Sequence, residues 1–136
     1  MSSTSNPEAR IVEALVYRLT EVTSTVLLGY SALGLNDELP TPAILVQLES
    51  IQEQGRQGSR RKMSMALNVS VVIKTDEDST YTLMGLTRLV RELFASSERF
   101  TPEARTVQFS ETQFDIAPNH GHLSFADIQL TIDVIL

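Results

Sequence analysis

Regular alternation of apolar and polar residues in the middle of the chain restricts the fold most. From Met63 to Lys74 every odd-numbered residue is apolar, whereas the even-numbered residues include serine, asparagine and lysine. Side chains on a strand point to opposite faces in turn, so this segment predicts a long strand with one buried face. The C-terminal residues from Ala126 to Leu136 repeat the pattern. Together they predict a sheet with one apolar face that other elements must cover.

Two segments have the spacing of amphipathic helices and can supply that cover. Asn6 and Pro7 suit an N-cap and a first helical residue. Apolar residues then recur every three or four positions, at Ile11, Leu15, Leu19, Val22 and Val26. A second stripe contains Leu83, Leu86, Val90, Leu93 and Phe94. Both stripes predict a helix with one buried side.

The remaining apolar segments complete the predicted order α-β-β-α-β-β. Residues 43–52 and 105–109 are predicted strands, and a change of apolar phase after Phe109 predicts a bulge or break near Ser110 to Gln113. We interpret 29–42 as a loop and 95–102 as a linker. The predicted class is α+β, with an antiparallel sheet of about four strands and two helices packed on one face. We expect the long last strand to lie centrally or to pair with another subunit, because an unprotected edge invites aggregation.

Length and composition indicate a single soluble domain. The chain has 136 residues, of which 42% are hydrophobic and 21% charged, values that are ordinary for a globular protein. We expect residues 1–6 to be disordered and residues 7–136 to form one α+β domain. The chain lacks cysteine, which excludes disulfides, thiolate metal sites and cysteine nucleophiles. No apolar run approaches the roughly 18 residues of a membrane span.

Positive charge is concentrated between the two strands of the first predicted hairpin. The formal net charge is -6, yet four of the 11 basic residues are Arg56, Arg60, Arg61 and Lys62. We interpret residues 54–62 as an extended loop at the end of a long hairpin arm; hairpin loops longer than about five residues are often functional. The loop has no aromatic residue for base stacking. It favours contact with an acidic protein surface; phosphate contact and a merely solvated tip are the alternatives.

No arrangement of residues in the sequence indicates catalysis. A glycine-rich phosphate loop and a Gly-x-Ser-x-Gly elbow are both missing. His120 and His122 are the only histidines, and a metal site would need further ligands, such as Asp115 or Asp127. A polar turn is the favoured interpretation, and a small metal-dependent enzyme is the alternative. The acidic residues 76–78 lack calcium-loop spacing and indicate a turn or helix cap. We therefore predict no enzyme, no catalytic or metal-binding residues and no cofactor.

The element order resembles that of the tail terminator proteins of tailed bacteriophages, of the small ring-forming lambda and Mu-like types. The segments that carry the resemblance, apart from the N-terminal helix, are Pro42–Glu49, the hairpin ending in Val69–Ile73, Leu83–Phe94 and Leu123–Ile132. The resemblance covers nearly the whole chain. It concerns the order and character of the helices and strands, since this family has no invariant catalytic motif.

The resemblance implies a structural virion protein that forms a hexameric ring, caps the tail tube, stops its polymerisation and joins it to the head or neck. The implied partners are other copies of the chain, a tail-tube or sheath protein and a head-side neck protein, with no membrane. Genome DNA would pass through the lumen without specific binding. The implied location is the virion tail or neck, and the host cytoplasm during assembly. The alternatives are a head–tail joining protein of the same fold and a small nucleic-acid-binding module that uses the basic hairpin loop.

Overall fold

The architecture is α+β, with two helices and an open, mostly antiparallel sheet of five strands. The structure is a computed structural model that describes residues 6–29, 39–95, 101–102 and 104–136. Its elements are α1 (Pro7–Leu19), β1 (Thr25–Leu28), β2 (Ala43–Gln57), β3 (Arg60–Lys74), α2 (Ser79–Leu93), β4 (Ala104–Asp115) and β5 (Leu123–Ile135). The strand order is β1-β2-β3-β5-β4. Only β1 and β2 are parallel. The predicted fold class is confirmed.

The fifth strand, β1, corrects the predicted extent of the first helix. The helical stripe was expected to reach Val26, but α1 ends at Leu19 and Val26 lies in β1. Thr25 to Leu28 pair with Ala43 to Val46 of β2. Val26 nevertheless packs against the same core as α1. A half-buried apolar position four residues after Val22 fits either element, so spacing alone could not separate helix from strand.

Both helices cover one face of the sheet and enclose the main core. α1 buries Ile11, Leu15 and Leu19, and α2 buries Leu83 and Val90. The strands beneath contribute the alternating residues predicted from the sequence, the odd-numbered ones from 65 to 73 on β3 and the even-numbered ones from 126 to 134 on β5. The helices also meet each other near their ends, where Nη1 of Arg18 donates to the carbonyl of Leu93 at 3.3 Å.

The C-terminal half of the sheet agrees with two predictions. β5 lies between β3 and β4, which is the central position expected for the long last strand. The register of β4 slips between Phe109 and Thr112, where a bulge was predicted. The extra residue lets Phe109 and Phe114 share one face, because their partners Leu130 and Ala126 both belong to the main core.

The hairpin of β2 and β3 differs from the predicted nine-residue loop. β2 continues to Gln57 and β3 begins at Arg60, so only Gly58 and Ser59 form the turn. A register shift between Glu53 and Gly55 interrupts the ladder. Gly55 and Gly58 have φ of 118° and 66°, values that favour glycine. The alternation of apolar and polar residues ends at this register shift, but β2 continues beyond it. The loop predicted from the alternation was therefore too long.

The chain start and the connecting segments lie partly outside the described residues. Asn6 caps α1 as predicted, since its side chain accepts hydrogen bonds from the backbone N–H groups of Glu8 at 3.1 Å and Ala9 at 3.2 Å. Of the residues 1–6 expected to be disordered, 1–5 lie outside the described residues and Asn6 is the N-cap of α1. Most of the predicted loop at 29–42 and of the linker at 95–102 also lies outside the described residues. Among the described helices, none combines the length and apolar character that a membrane crossing requires.

Candidate functional site

The basic residues lie at the end of the β2–β3 hairpin, and all four are exposed. We call residues 55–62 the hairpin tip. The register sets Arg56 opposite Arg61, and it pairs Lys62 with Gly55 and Arg60 with Gln57. Because side chains alternate along a strand, Arg56 and Arg61 share the side of Met63, whereas Arg60 and Lys62 point to the other side. The structure therefore divides the predicted basic group into two pairs on opposite sides of the hairpin.

An acidic residue adjoins one of these pairs. Nε of Arg61 lies 3.7 Å from Oε1 of Glu53, and the two side chains are 60% and 52% exposed. An exposed ion pair of this kind contributes about 0–1 kcal/mol, so it holds Arg61 only weakly. Like charges directly opposite each other repel, and Glu53 offsets part of the Arg56–Arg61 repulsion. Sequence reasoning missed this neighbour because Glu53 lies one residue outside the basic segment and reaches it across the hairpin.

Leu136, the residue after β5, anchors the base of the hairpin tip. The backbone N–H of Arg61 donates to the carbonyl of Leu136 at 3.1 Å, and the N–H of Leu136 donates back at 2.9 Å. Backbone pairing on the β5 side of β3 therefore extends to Arg61. The turn of Gly58 and Ser59 projects past this pair, together with the strand residues Arg56, Gln57 and Arg60 that flank it. The tip is a compact basic projection rather than the predicted nine-residue loop.

The two histidines considered as metal ligands lie on the surface, and one of them supports a backbone contact. His120 and His122 are exposed in the β4–β5 connection. The carbonyl of His122 accepts a hydrogen bond from the N–H of Thr75 at 2.7 Å, which ties this connection to the end of β3. In the part of the chain that the structure describes, no group of three or more acidic or histidine residues is placed to bind a metal ion.

The acidic residues before α2 close a turn rather than forming a cation site. Oδ1 of Asp76 accepts from the N–H of Asp78 at 2.8 Å, and Oγ of Ser79 accepts from the N–H of Asp76 at 2.7 Å. Asp78 occupies the N-cap position of α2 but its side chain makes no capping hydrogen bond. The predicted turn is present, but these two hydrogen bonds satisfy N–H groups that precede α2, so no carboxylate caps the first helical N–H groups through them.

The sheet face opposite the helices carries a chain of hydrogen-bonded polar side chains. Nε2 of Gln129 donates to Oδ1 of Asn68 at 3.1 Å, and Nδ2 of Asn68 donates to Oγ of Ser70 at 3.0 Å. The hydroxyl of Ser70 in turn donates to the carboxylate of Asp127. These groups satisfy one another across β3 and β5. The network therefore fixes the side-chain positions of these four residues on this face.

A groove runs between α2 and β4 on the helix side of the sheet. Its volume is about 610 Å³, and its lining includes Met84, Gly85, Arg88 and Arg91 from α2 and Phe114 from β4. We call it the α2–β4 groove. Met84 and Phe114 are 52% and 45% exposed. The sequence pattern did not reveal this groove, because its residues belong to neither buried stripe; the one signal was the apolar Met84 on the polar side of α2.

A second apolar surface lies on the far edge of the sheet. β1 pairs with β2 only as far as Val46. No other described strand flanks the outer side of residues 47–57, which we call the outer half of β2. Leu48 and Ile51 are 40% and 39% exposed there, and Glu49 and Glu53 are exposed beside them. Exposed apolar and acidic side chains are therefore interspersed along this edge, which no described strand covers.

Comparison with known proteins shows a shared fold and no sequence relative. No family model matches the chain, and no curated protein matches it. Among solved structures, the chain is similar to a chain of "Virion of native gene transfer agent (GTA) particle", with a TM-score of 0.59 and 10% sequence identity. The similarity covers 91% of this chain and 93% of the other. At this identity it establishes a common architecture, which extends over nearly the full length of both chains.

Proposed function

We propose that the protein is a structural component of a phage-like virion, and that within the virion it is a tail terminator. The observation that carries the proposal is the fold shared with a chain of a gene transfer agent virion over 91% of this chain. The element order that resembles tail terminators gives the finer assignment. The proposed role is to cap the tail tube as a hexameric ring, to stop its polymerisation and to present a surface to the head side.

The surfaces of the molecule suit an assembly protein. In a head-to-tail ring each subunit offers one surface to a different surface of the next. The hairpin tip is basic, whereas the chain as a whole carries a formal charge of -6. Complementary charges of this kind set the register between subunits and disfavour wrong partners. The hairpin tip therefore contacts an acidic surface of another copy or of the adjacent tail ring.

A gene deletion in the strain that produces the particles tests this assignment. Without a terminator, tube growth has no stop signal, so electron microscopy should show tails of excess and variable length that are not joined to heads. Expression of the intact gene from a plasmid should restore tails of uniform length. Complete particles in normal numbers from the deletion strain would overturn the proposal.

The same deletion distinguishes a head–tail joining protein, the second candidate with this fold. Loss of a joining protein would leave tails of normal, uniform length beside separate filled heads. The readout is the tail-length distribution, because both candidates predict a failure to join. A nucleic-acid-binding module predicts a different result, namely affinity of the purified protein for DNA or RNA that falls steeply as salt rises.

A further inference from the structure

We propose that the outer half of β2 from one copy docks into the α2–β4 groove of the next copy. This inference rests on the proposed ring function, which requires a contact between different surfaces of identical subunits. The occupant of the groove is therefore a second copy of this chain.

The α2–β4 groove has an apolar floor with unused space. Met84 and Phe114 expose about half of their side-chain surface, and burial of apolar surface contributes about 25 cal/mol per Å². A Cβ placed on Gly85 would meet no atom within 4 Å, so the groove is open above this residue. With a volume of about 610 Å³, it has room for more than one branched apolar side chain.

The rim of the α2–β4 groove is basic and retains hydrogen-bond donors. Nε of Arg88 lies 2.9 Å from Oε1 of Glu92, while the Arg88 side chain remains 76% exposed. Nη1 of Arg91 donates to Oγ1 of Thr112 at 3.4 Å. A guanidinium group carries five N–H donors, so each contact leaves donors available. The groove thus suits a segment that combines apolar side chains with carboxylates.

The outer half of β2 is such a segment. Leu48, Ile51 and Glu53 pair across the hairpin with Leu67, Met65 and Met63 respectively. These partners lie on the helix side of the sheet, so the three β2 side chains share that side. Leu48 and Ile51 remain substantially exposed, and Glu49, at the neighbouring register shift, is exposed too. An apolar and acidic edge matches an apolar and basic groove.

The positions of the two surfaces make the contact intermolecular. The outer half of β2 lies on one edge of the sheet, and β4 forms the other edge, with β3 and β5 between them. One chain therefore does not fill its own groove. A contact between two different surfaces is heterologous, and it generates a ring when the rotation between subunits closes. Opposite edges of one sheet are well placed for such a repeat.

Cysteine cross-linking tests the contact directly, because the chain has no cysteine of its own. Two single variants, Ile51→Cys and Met84→Cys, are purified separately, mixed at high concentration and oxidised mildly. We expect a disulfide-linked dimer that contains one chain of each variant, in several-fold excess over either homodimer. The matched control replaces Ile51→Cys with Tyr17→Cys, on a side chain that is 79% exposed and lies on α1. Equal yields from the test and control mixtures would overturn the contact.

A charge exchange provides a second, independent measurement. Arg88→Glu should lower the association of otherwise unaltered chains about tenfold, which corresponds to ~1.4 kcal/mol. Pairing Arg88→Glu chains with Glu49→Arg or Glu53→Arg chains should recover part of the loss, because each combination restores opposite charges across the contact. Absence of recovery with both acidic-site variants would contradict the proposed pairing of edge and groove.

Cross-linking in purified particles separates failure of this contact from failure of the proposed function. If particles contain the double variant Ile51→Cys, Met84→Cys but oxidation yields no linked chains, the contact is wrong and the virion role stands. If the purified protein forms linked multimers but particles lack it, the contact is correct and the virion role is wrong.

Discussion

The two halves of β2 differ sharply although they belong to one strand and share one partner. Ala43 to Val46 are fully or almost fully buried, whereas every residue from Gln47 to Arg56 is exposed. Both halves pair with β3 along its length. The difference is that β1 flanks the first half and the core encloses it, while no strand among the described residues flanks the outer half on that side.

This contrast separates stability from assembly within one element. Backbone pairing with β3 is enough to keep the outer half of β2 extended, while the burial that drives folding is concentrated in the first half. Substitutions in the first half should therefore act on the free energy of unfolding. Substitutions in the outer half, the hairpin tip and the α2–β4 groove should act on contacts between copies.

The largest expected effect comes from truncating the same residue type in each half. Ile44 is fully buried and Ile51 is 39% exposed. Ile44→Ala should reduce the free energy of unfolding by about 2–5 kcal/mol, because it leaves a cavity in the core. Ile51→Ala should cost less than about 1 kcal/mol. Urea unfolding measures both, and equal losses would show that the outer half also carries core energy.

The N-cap of α1 should also contribute to the free energy of unfolding, but less than the buried Ile44 does. Asn6→Ala removes the acceptor for the N–H groups of Glu8 and Ala9 and should destabilise the protein by about 1 kcal/mol. Asn6→Ser is the matched control, since serine is a comparable N-cap. Neither change should alter the yield of the Ile51→Cys and Met84→Cys cross-link. A reduced yield would mean that α1 also affects the contact between the outer half of β2 and the α2–β4 groove.

A single methyl group in the α2–β4 groove should have opposite effects on folding and assembly. Gly85 lies inside α2, where alanine is favoured over glycine by about 0.5–1 kcal/mol, and an added Cβ meets no neighbour. Gly85→Ala should raise the unfolding free energy by that amount. It should also reduce association, because the methyl group occupies space intended for the next copy. Greater stability together with unchanged association would argue against the groove as the docking site.

The smallest effect on stability is expected at the hairpin tip. The double change Arg60→Gln, Arg61→Gln removes two exposed charges and should shift the unfolding free energy by less than about 0.5 kcal/mol. Incorporation into particles should nevertheless fall, because the tip loses the charges proposed to meet an acidic neighbour. The comparison is between urea unfolding and the amount of variant in purified particles. If the variant unfolds, the tip is part of the folding core and its proposed role in contacts is wrong.

The sequence predicted the strands in which buried and exposed residues alternate regularly. It did not predict the features that depend on which segments lie next to each other in the fold. Alternation identified β3 and β5 and their buried residues, and a phase change located the β4 bulge. β1 was not predicted, because the four-residue spacing from Val22 to Val26 is also compatible with a helix. The full length of the hairpin strands was not predicted, because the alternation breaks at the register shift after Glu53. Pairing of the two strands nevertheless resumes at Gly55.

The candidate site was predictable only in part, for the same reason. The charge of Arg56, Arg60, Arg61 and Lys62 is evident in the sequence, but the division into two sides depends on the register. The α2–β4 groove depends on where α2 lies over the sheet, which no local pattern specifies. Exposure of Leu48 and Ile51 likewise depends on the absence of a covering element among the described residues.

Quantitative mass spectrometry of purified particles tests the central claim most directly. The proposed virion role predicts that the protein copurifies with complete particles in a small, constant number of copies per particle, and that a high-salt wash does not remove it. The same measurement on particles that carry the hairpin-tip variant should show fewer copies. Complete particles that lack the protein altogether would contradict the account.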